Sequence, residues 1–151
     1  MLQYKQKGNN VMKIIGVDFG EVRTGVAVSD ALGLTAQGVG TVYGRNPEKV
    51  AQQVAQYIEQ YNAQLTVVGL PKNMDNSIGF RGEATLSFVE ILKTKTQCEI
   101  VLWDERLSTV SAIRTLNETN TRGEKRKAVV DTVAACIILQ NYLDFKGGAN
   151  K

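Results

Sequence analysis

The chain has 151 residues, with 18 Lys and Arg against 15 Asp and Glu, a formal charge of +3, two cysteines and no histidine. That length suits one domain whose core needs neither disulfides nor a structural metal, and Cys98 and Cys136, far apart and outside any CxxC pattern, fit a reducing compartment. The lack of histidine excludes a Ser-His-Asp triad, a His-ligated zinc and an imidazole base, so any catalysis rests on carboxylates, Lys, Tyr, Ser/Thr or a hard metal held by oxygen ligands.

The segment Met1 to Asn10 is polar and lacks an apolar stretch, so it reads as neither signal peptide nor membrane anchor. Residues 1–12 are expected to be a disordered extension, 13–145 a single domain and 146–151 a disordered tail, in a cytoplasmic protein. Ile14 to Phe19 and Thr24 to Ser29 read as two strands of a hairpin with its bend at Gly20-Glu21-Val22-Arg23. Leu34 to Tyr43 reads as a third, antiparallel strand, made irregular by Gly38 and Gly40.

Asn46-Pro47-Glu48 predicts a helix start, with Asn46 as the N-cap and Pro47 at the first helical position. Val50, Val54, Tyr57, Ile58 and Tyr61 follow at helical spacing. Leu65 to Leu70 is a buried strand stopped by Pro71, and the loop Lys72 to Gly79 leads to a helix carrying Phe80, Ala84, Phe88, Ile91 and Leu92. Glu99 to Asp104 is the next strand. Ser108 or Thr109 caps a short helix with Ala112, Ile113 and Leu116, and a basic loop opens a final helix from about Glu124 to Phe145. Three strands in a meander followed by βα crossovers make an α/β fold: a mixed five-stranded sheet, three strands antiparallel and then two parallel, with helices on both faces.

Asp18 sits on a core strand, where a lone ionised carboxylate is costly unless it is neutralised, hydrogen-bonded or bound to metal. Asp104 and Glu105 stand at the carboxyl end of a parallel strand, where functional groups of such sheets gather. Side-chain alternation makes them face opposite ways and does not choose between them, although Glu105 has the longer reach. Asp131 shares a helix face with Ala134, Ala135 and Ile138, the apolar side. Carboxylates converging without histidine repel one another, and a divalent cation is the usual compensation. Arg23, Lys72, Asn73 and Arg106, with Arg122, Lys125, Arg126 and Lys127 of the basic loop, are candidate contacts for a polyanion. Asp30, Asp75 and Asn76 read as turn formers.

Four segments now form a set: Gly16-Val17-Asp18-Phe19-Gly20 with Arg23-Thr24-Gly25, Val68-Gly69-Leu70-Pro71 with Asn73-Met74-Asp75, Asp104-Glu105-Arg106-Leu107-Ser108-Thr109, and Asp131-Thr132-Val133-Ala134-Ala135. In this order they resemble the YqgF family, Holliday junction resolvase-like proteins with a ribonuclease H-like fold. The resemblance implies a nuclease dependent on Mg²⁺ or Mn²⁺ that processes the 5′ end of pre-16S ribosomal RNA, with Asp18, Glu105 and Asp131 as catalytic and metal-binding acids. The implied partners are an rRNA precursor and ribosomal particles, for a protein working as monomer or homodimer away from membranes. Asn76 stands where the family commonly has glycine, which asks it to adopt a left-handed conformation. Ala134 and Ala135 supply no fourth acid of the kind RuvC-type resolvases carry. Branched DNA is the alternative substrate, and an RNA-binding assembly factor without catalysis is the alternative from another class. A nucleotide-binding ATPase of the actin and sugar-kinase type ranks below both, because the chain carries one Asp-Phe-Gly turn and no second copy.

Overall fold

The computed structural model describes residues 12–107 and 124–149, with the backbone alone for 124–131 and 148–149. Three strands, β1 (Ile14–Asp18), β2 (Arg23–Ser29) and β3 (Ala36–Tyr43), form the meander, and α1 (Pro47–Gln60) leads to β4 (Leu65–Leu70). There follow α2 (Phe80–Lys93), β5 (Glu99–Asp104), a 3₁₀ turn at Glu105–Leu107 and a long α3 (Glu124–Ala149). The five strands lie in the order β3-β2-β1-β4-β5, antiparallel across β3-β2-β1 and parallel across β1-β4-β5. This is a ribonuclease H-like sheet.

β1 is the central strand, and every one of its residues is buried. Its near-continuous apolar run is what a strand covered on both faces requires. Alternation then divides its side chains between two cores. Ile15 and Val17 join Val26, Val68, Phe88 and the inward residues of α1 on one face. Ile14 joins Ala27, Leu65, Val67 and the Ala134, Ala135, Ile138 and Leu139 ridge of α3 on the other. Phe19, just past β1, continues the first set by stacking on Phe88 at 4.3 Å between ring centroids.

α1 starts as its sequence predicts: Asn46 Oδ1 accepts from the Glu48 amide at 2.9 Å and the Lys49 amide at 3.4 Å, satisfying donors that the first turn leaves open. The third strand begins two residues later than its apolar pattern suggests. Asp30 Oδ1 captures the amides of Leu34 at 2.8 Å and Thr35 at 3.4 Å, holding both in a turn. The irregularity expected at Gly38 and Gly40 is a bulge: Val26 pairs with Gly40 but Ala27 with Gly38, leaving Val39 extra.

Phe80 belongs to α2 but not to the core. It is 84% exposed, because it opens the helix where the chain leaves the loop, and Ile78 fills the inward place against Gly82 instead. At the other end, α3 continues to Ala149, so residues 146–149 extend the helix rather than forming an unstructured tail. Once nucleated, a helix adds residues at little cost. The short helix expected around Ala112, Ile113 and Leu116, and the N-terminal extension up to Val11, lie outside the described residues. Among the described residues no helix is long and apolar enough to cross a membrane.

Candidate active site

The carboxyl ends of β1, β4 and β5 meet at one end of the sheet, and the face covered by α3 carries the acids. Asp18 ends β1 and pairs with Gly25 of β2. It alternates with Val17 and Phe19, which point into the α1 and α2 core, so Asp18 falls on the α3 face. There it is 2% exposed.

Glu105 reaches the same face from β5. Along the ladder Gly69 pairs with Trp103 and Leu70 with Asp104. Trp103 packs against Tyr142 and Phe145 of α3, Asp104 takes the opposite side, and the 3₁₀ turn brings Glu105 back over β4. Glu105 is 3% exposed. A Cβ on Gly69 would lie 2.8 Å from Glu105 Oε2 and 2.4 Å from Ile138 Cδ1. Glycine at this position is what leaves room for the carboxylate between β4 and α3. Because Val17 pairs with Val68, Gly69 is the next position beside Asp18, and the two buried acids flank it.

α3 is held close enough to enclose them. A Cβ on Gly16 would meet Leu139 Cβ at 2.7 Å and the Ala135 carbonyl at 3.1 Å, so helix and strand touch backbone to backbone. Thr132 Oγ1 lies 3.2 Å from Thr41 Oγ1, and Thr41 pairs with Gly25, the partner of Asp18. Gln140 ties the helix to β3 through the Ala36 amide at 3.0 Å and the Leu34 carbonyl at 2.8 Å. Thr132 also fills the space over Gly38, so the start of the described part of α3 lies over β3 between the Gly38 and Thr41 positions, toward the end of the sheet that holds Asp18.

The side chains of Asp131, Lys125, Arg126 and Lys127, and Arg122 altogether, lie outside the described residues. Among the described residues no group of three or more acids, cysteines or histidines forms a metal cage. Two buried oxygen donors on one face, with a glycine cradle between them and no soft ligand at hand, suit a hard divalent cation.

The basic candidates divide. Arg23 opens β2 two residues before Gly25, on the face and at the end of the sheet that hold Asp18. Lys72 follows β4 and, with the Arg106 guanidinium as the larger influence, holds the Asp104 carboxyl below its ordinary range. Arg106 and Asn73 are bonded to one another: Arg106 Nη1 donates to the Asn73 carbonyl at 3.0 Å, and the Asn73 side chain donates to Ser77 Oγ at 2.9 Å. The turn readings stand, since Asp75 Oδ1 accepts from the Ser77 amide at 3.0 Å and Asn76 is left-handed at φ 75°. Sequence reasoning missed Gly69 as the cradle, although a glycine inside an apolar strand signals close approach. It also missed Asp104 as the acceptor for the Arg106 amide at 2.9 Å, a turn-capping arrangement legible in an acid immediately before a turn.

Comparison with known proteins agrees with this architecture. The "Putative pre-16S rRNA nuclease" of Acetivibrio thermocellus is 44% identical over 138 residues, covering 90% of this chain and 98% of the relative. The protein of the same name from Staphylococcus aureus is 49% identical over 135 residues, covering 87% of this chain and 95% of the relative. Among solved structures, Thermus thermophilus RuvC in complex with Holliday junction substrate superposes with a TM-score of 0.57 at 12% identity, covering 91% of this chain and 96% of that one. That likeness is one of fold. Residues 12–145 match the family model described as RuvX: Holliday junction resolvase, and the chain belongs to this family, the YqgF family of the sequence motifs.

Proposed function

We propose that this protein is a divalent-metal-dependent nuclease that hydrolyses phosphodiester bonds in the 5′ region of a pre-16S rRNA, in the cytoplasm and in association with ribosomal particles. The observation that carries the reading is the pair of buried carboxylates, Asp18 and Glu105, turned to one face beside Gly69. A protein that only bound RNA would gain nothing from acids aimed at phosphates, which they repel unless cations intervene. Relatives named for pre-16S rRNA, 44% and 49% identical over most of the chain, support the choice of substrate.

Asp18, Glu105 and Asp131 would hold Mg²⁺ or Mn²⁺. Bound there, the cation would lower the pKa of a water and offset charge on the phosphate. The chain's own part is to fix the two carboxylates against a rigid sheet, to exclude bulk water by packing α3 over them, and to present cations to the strand. Arg23 stands on the same face and at the same end of the sheet as Asp18, and with Lys72 and the basic residues Arg122, Lys125, Arg126 and Lys127 it would position the phosphates that flank the cut. Branched DNA is the weaker substrate reading, since junction resolution needs paired sites and the structural likeness to RuvC speaks for fold alone. Calorimetric titration of MnCl₂ into wild type, Asp18→Asn and Glu105→Gln tests the assignment. Binding lost in both variants is expected; equal binding in all three would overturn it.

A further inference from the structure

We propose that Asp104 and Arg106, the residues on either side of Glu105, are a positioning pair that locks the Glu105 turn to the Lys72–Ile78 loop, and that Arg106 is not a ligand for the substrate. The inference rests on Glu105 being a metal ligand and adds what holds it in place. Arg106 Nε donates to both oxygens of Asp104 at 3.1 Å, and Nη2 donates to Asp104 Oδ2 at 2.7 Å and to Asn76 Oδ1 at 2.9 Å. With Nη1 on the Asn73 carbonyl at 3.0 Å, the paired N–H groups that would grip a phosphate as a fork are already used.

The loop end is built to receive it. Asn76 turns left-handed at φ 75°, the Asn76 amide bonds the Asn73 carbonyl at 2.9 Å, and the Asn73 amide bonds the Ser77 carbonyl at 2.9 Å. Asn73 therefore offers one carbonyl to two donors, the Asn76 amide and Arg106, and a single guanidinium ties loop, strand end and 3₁₀ turn together. The Asp104 and Arg106 side chains are 22% and 28% exposed, so the pair is partly shielded, where charge-assisted bonds hold geometry better than at an open surface. Because Glu105 lies between the two residues, any loosening of the pair moves its carboxylate relative to Asp18. Lys72, at the start of the loop, moves with it.

The test compares Asp104→Asn, Arg106→Gln, Arg106→Lys and the Asp104→Asn/Arg106→Gln double variant by amide hydrogen exchange and by steady-state cleavage of a pre-16S rRNA fragment with Mn²⁺. All four are expected to speed exchange at the Asn73, Asn76 and Arg106 amides by about tenfold, the scale of one lost charge-assisted bond. They are also expected to lower kcat by about ten- to a hundredfold, as a misplaced catalytic group does, with KM little changed. The double variant should be no worse than the worse single one, because both remove the same pair, and Lys should not rescue, since it cannot make the fork. Two results would overturn the proposal: unchanged exchange, or Arg106→Gln raising KM while Arg106→Lys restores it and Asp104→Asn behaves as wild type. Exchange reports on the latch whether or not the protein cuts RNA, so an inactive wild type with faster exchange in the variants would sink the nuclease reading and leave the latch standing.

Discussion

Replacing Gly69 with alanine separates the cradle from the rest of the core more sharply than any loss of an acid, because it adds one methyl and removes nothing. The new Cβ would stand 2.8 Å from Glu105 Oε2, about 0.6 Å inside ordinary contact, and 2.4 Å from Ile138 Cδ1, with Ile138 Cγ1 at 3.1 Å. Ile138 can yield by turning its flexible end, at about 0.5–1.5 kcal/mol if it leaves its preferred rotamer. Glu105 yields only by shifting its carboxylate away from Asp18. Alanine in a strand interior recovers about 0.5–1 kcal/mol relative to glycine, whereas overpacking costs about 1–3 kcal/mol, so a net loss of about 0–2.5 kcal/mol is expected. For a domain of this size that lowers Tm by up to about 10 °C. The variant should stay folded at 25 °C. Activity should suffer more than stability, since a misplacement approaching 1 Å costs about a hundredfold in rate; kcat is expected to fall about ten- to a hundredfold. Thermal unfolding and Mn²⁺-dependent cleavage of a labelled pre-16S rRNA fragment, run on one preparation, measure both. Wild-type cleavage together with wild-type Tm would refute the placement of Glu105 over Gly69.

Gly16→Ala makes the contrasting case: its Cβ meets Leu139 Cβ at 2.7 Å and the Ala135 carbonyl at 3.1 Å, so α3 must lift, and urea unfolding should show a loss of about 1–3 kcal/mol. Phe88 is fully buried under Phe19, and Phe88→Ala should cost about 3–5 kcal/mol, a value near zero being incompatible with the stack beside Asp18. Asn76→Ala should cost about 1–2 kcal/mol for a left-handed residue without a suitable side chain, while Asn76→Gly should fall closer to wild type in the same assay. Burial pushes both the Cys98 and Cys136 thiols above their ordinary 9.0. Their protonated forms are thus favoured by folding, that stabilisation is complete below the unfolded pKa, and it is lost as pH rises through the higher folded values. Alkylation of the native protein by iodoacetamide at pH 8 should accordingly run well below that of the urea-unfolded chain, and equal rates would contradict the burial.

The meander, both crossovers and the cap at Asn46 were legible because each follows from local chemistry: β-branched runs, one Asn-Pro pair, and strands joined through a helix, the pattern of a parallel βαβ crossover. Side-chain alternation left Asp104 and Glu105 equivalent, and only the pairing of Gly69 with Trp103 and the turn after Asp104 separate them. The charge that makes Arg106 a candidate phosphate contact is visible in the sequence, whereas its bonds to Asn73 and Asn76, some thirty residues earlier, are visible only in the structure. Helical periodicity does not reveal that Phe80 is exposed while Ile78, outside the helix, packs inward against Gly82. Asp30 shortened β3 through two amide bonds that no propensity of Leu34 or Thr35 foretells.

The central claim, that Asp18 and Glu105 are the metal-holding acids of an RNA-cutting site, is tested most directly by cleavage of a 5′-labelled pre-16S rRNA fragment with Mn²⁺, comparing wild type with Asp18→Asn and Glu105→Gln. The account predicts that wild type cuts, that omitting the metal stops it, and that both variants lose at least about a hundredfold in rate while keeping the wild-type circular dichroism spectrum. Cleavage by either variant at the wild-type rate would contradict it.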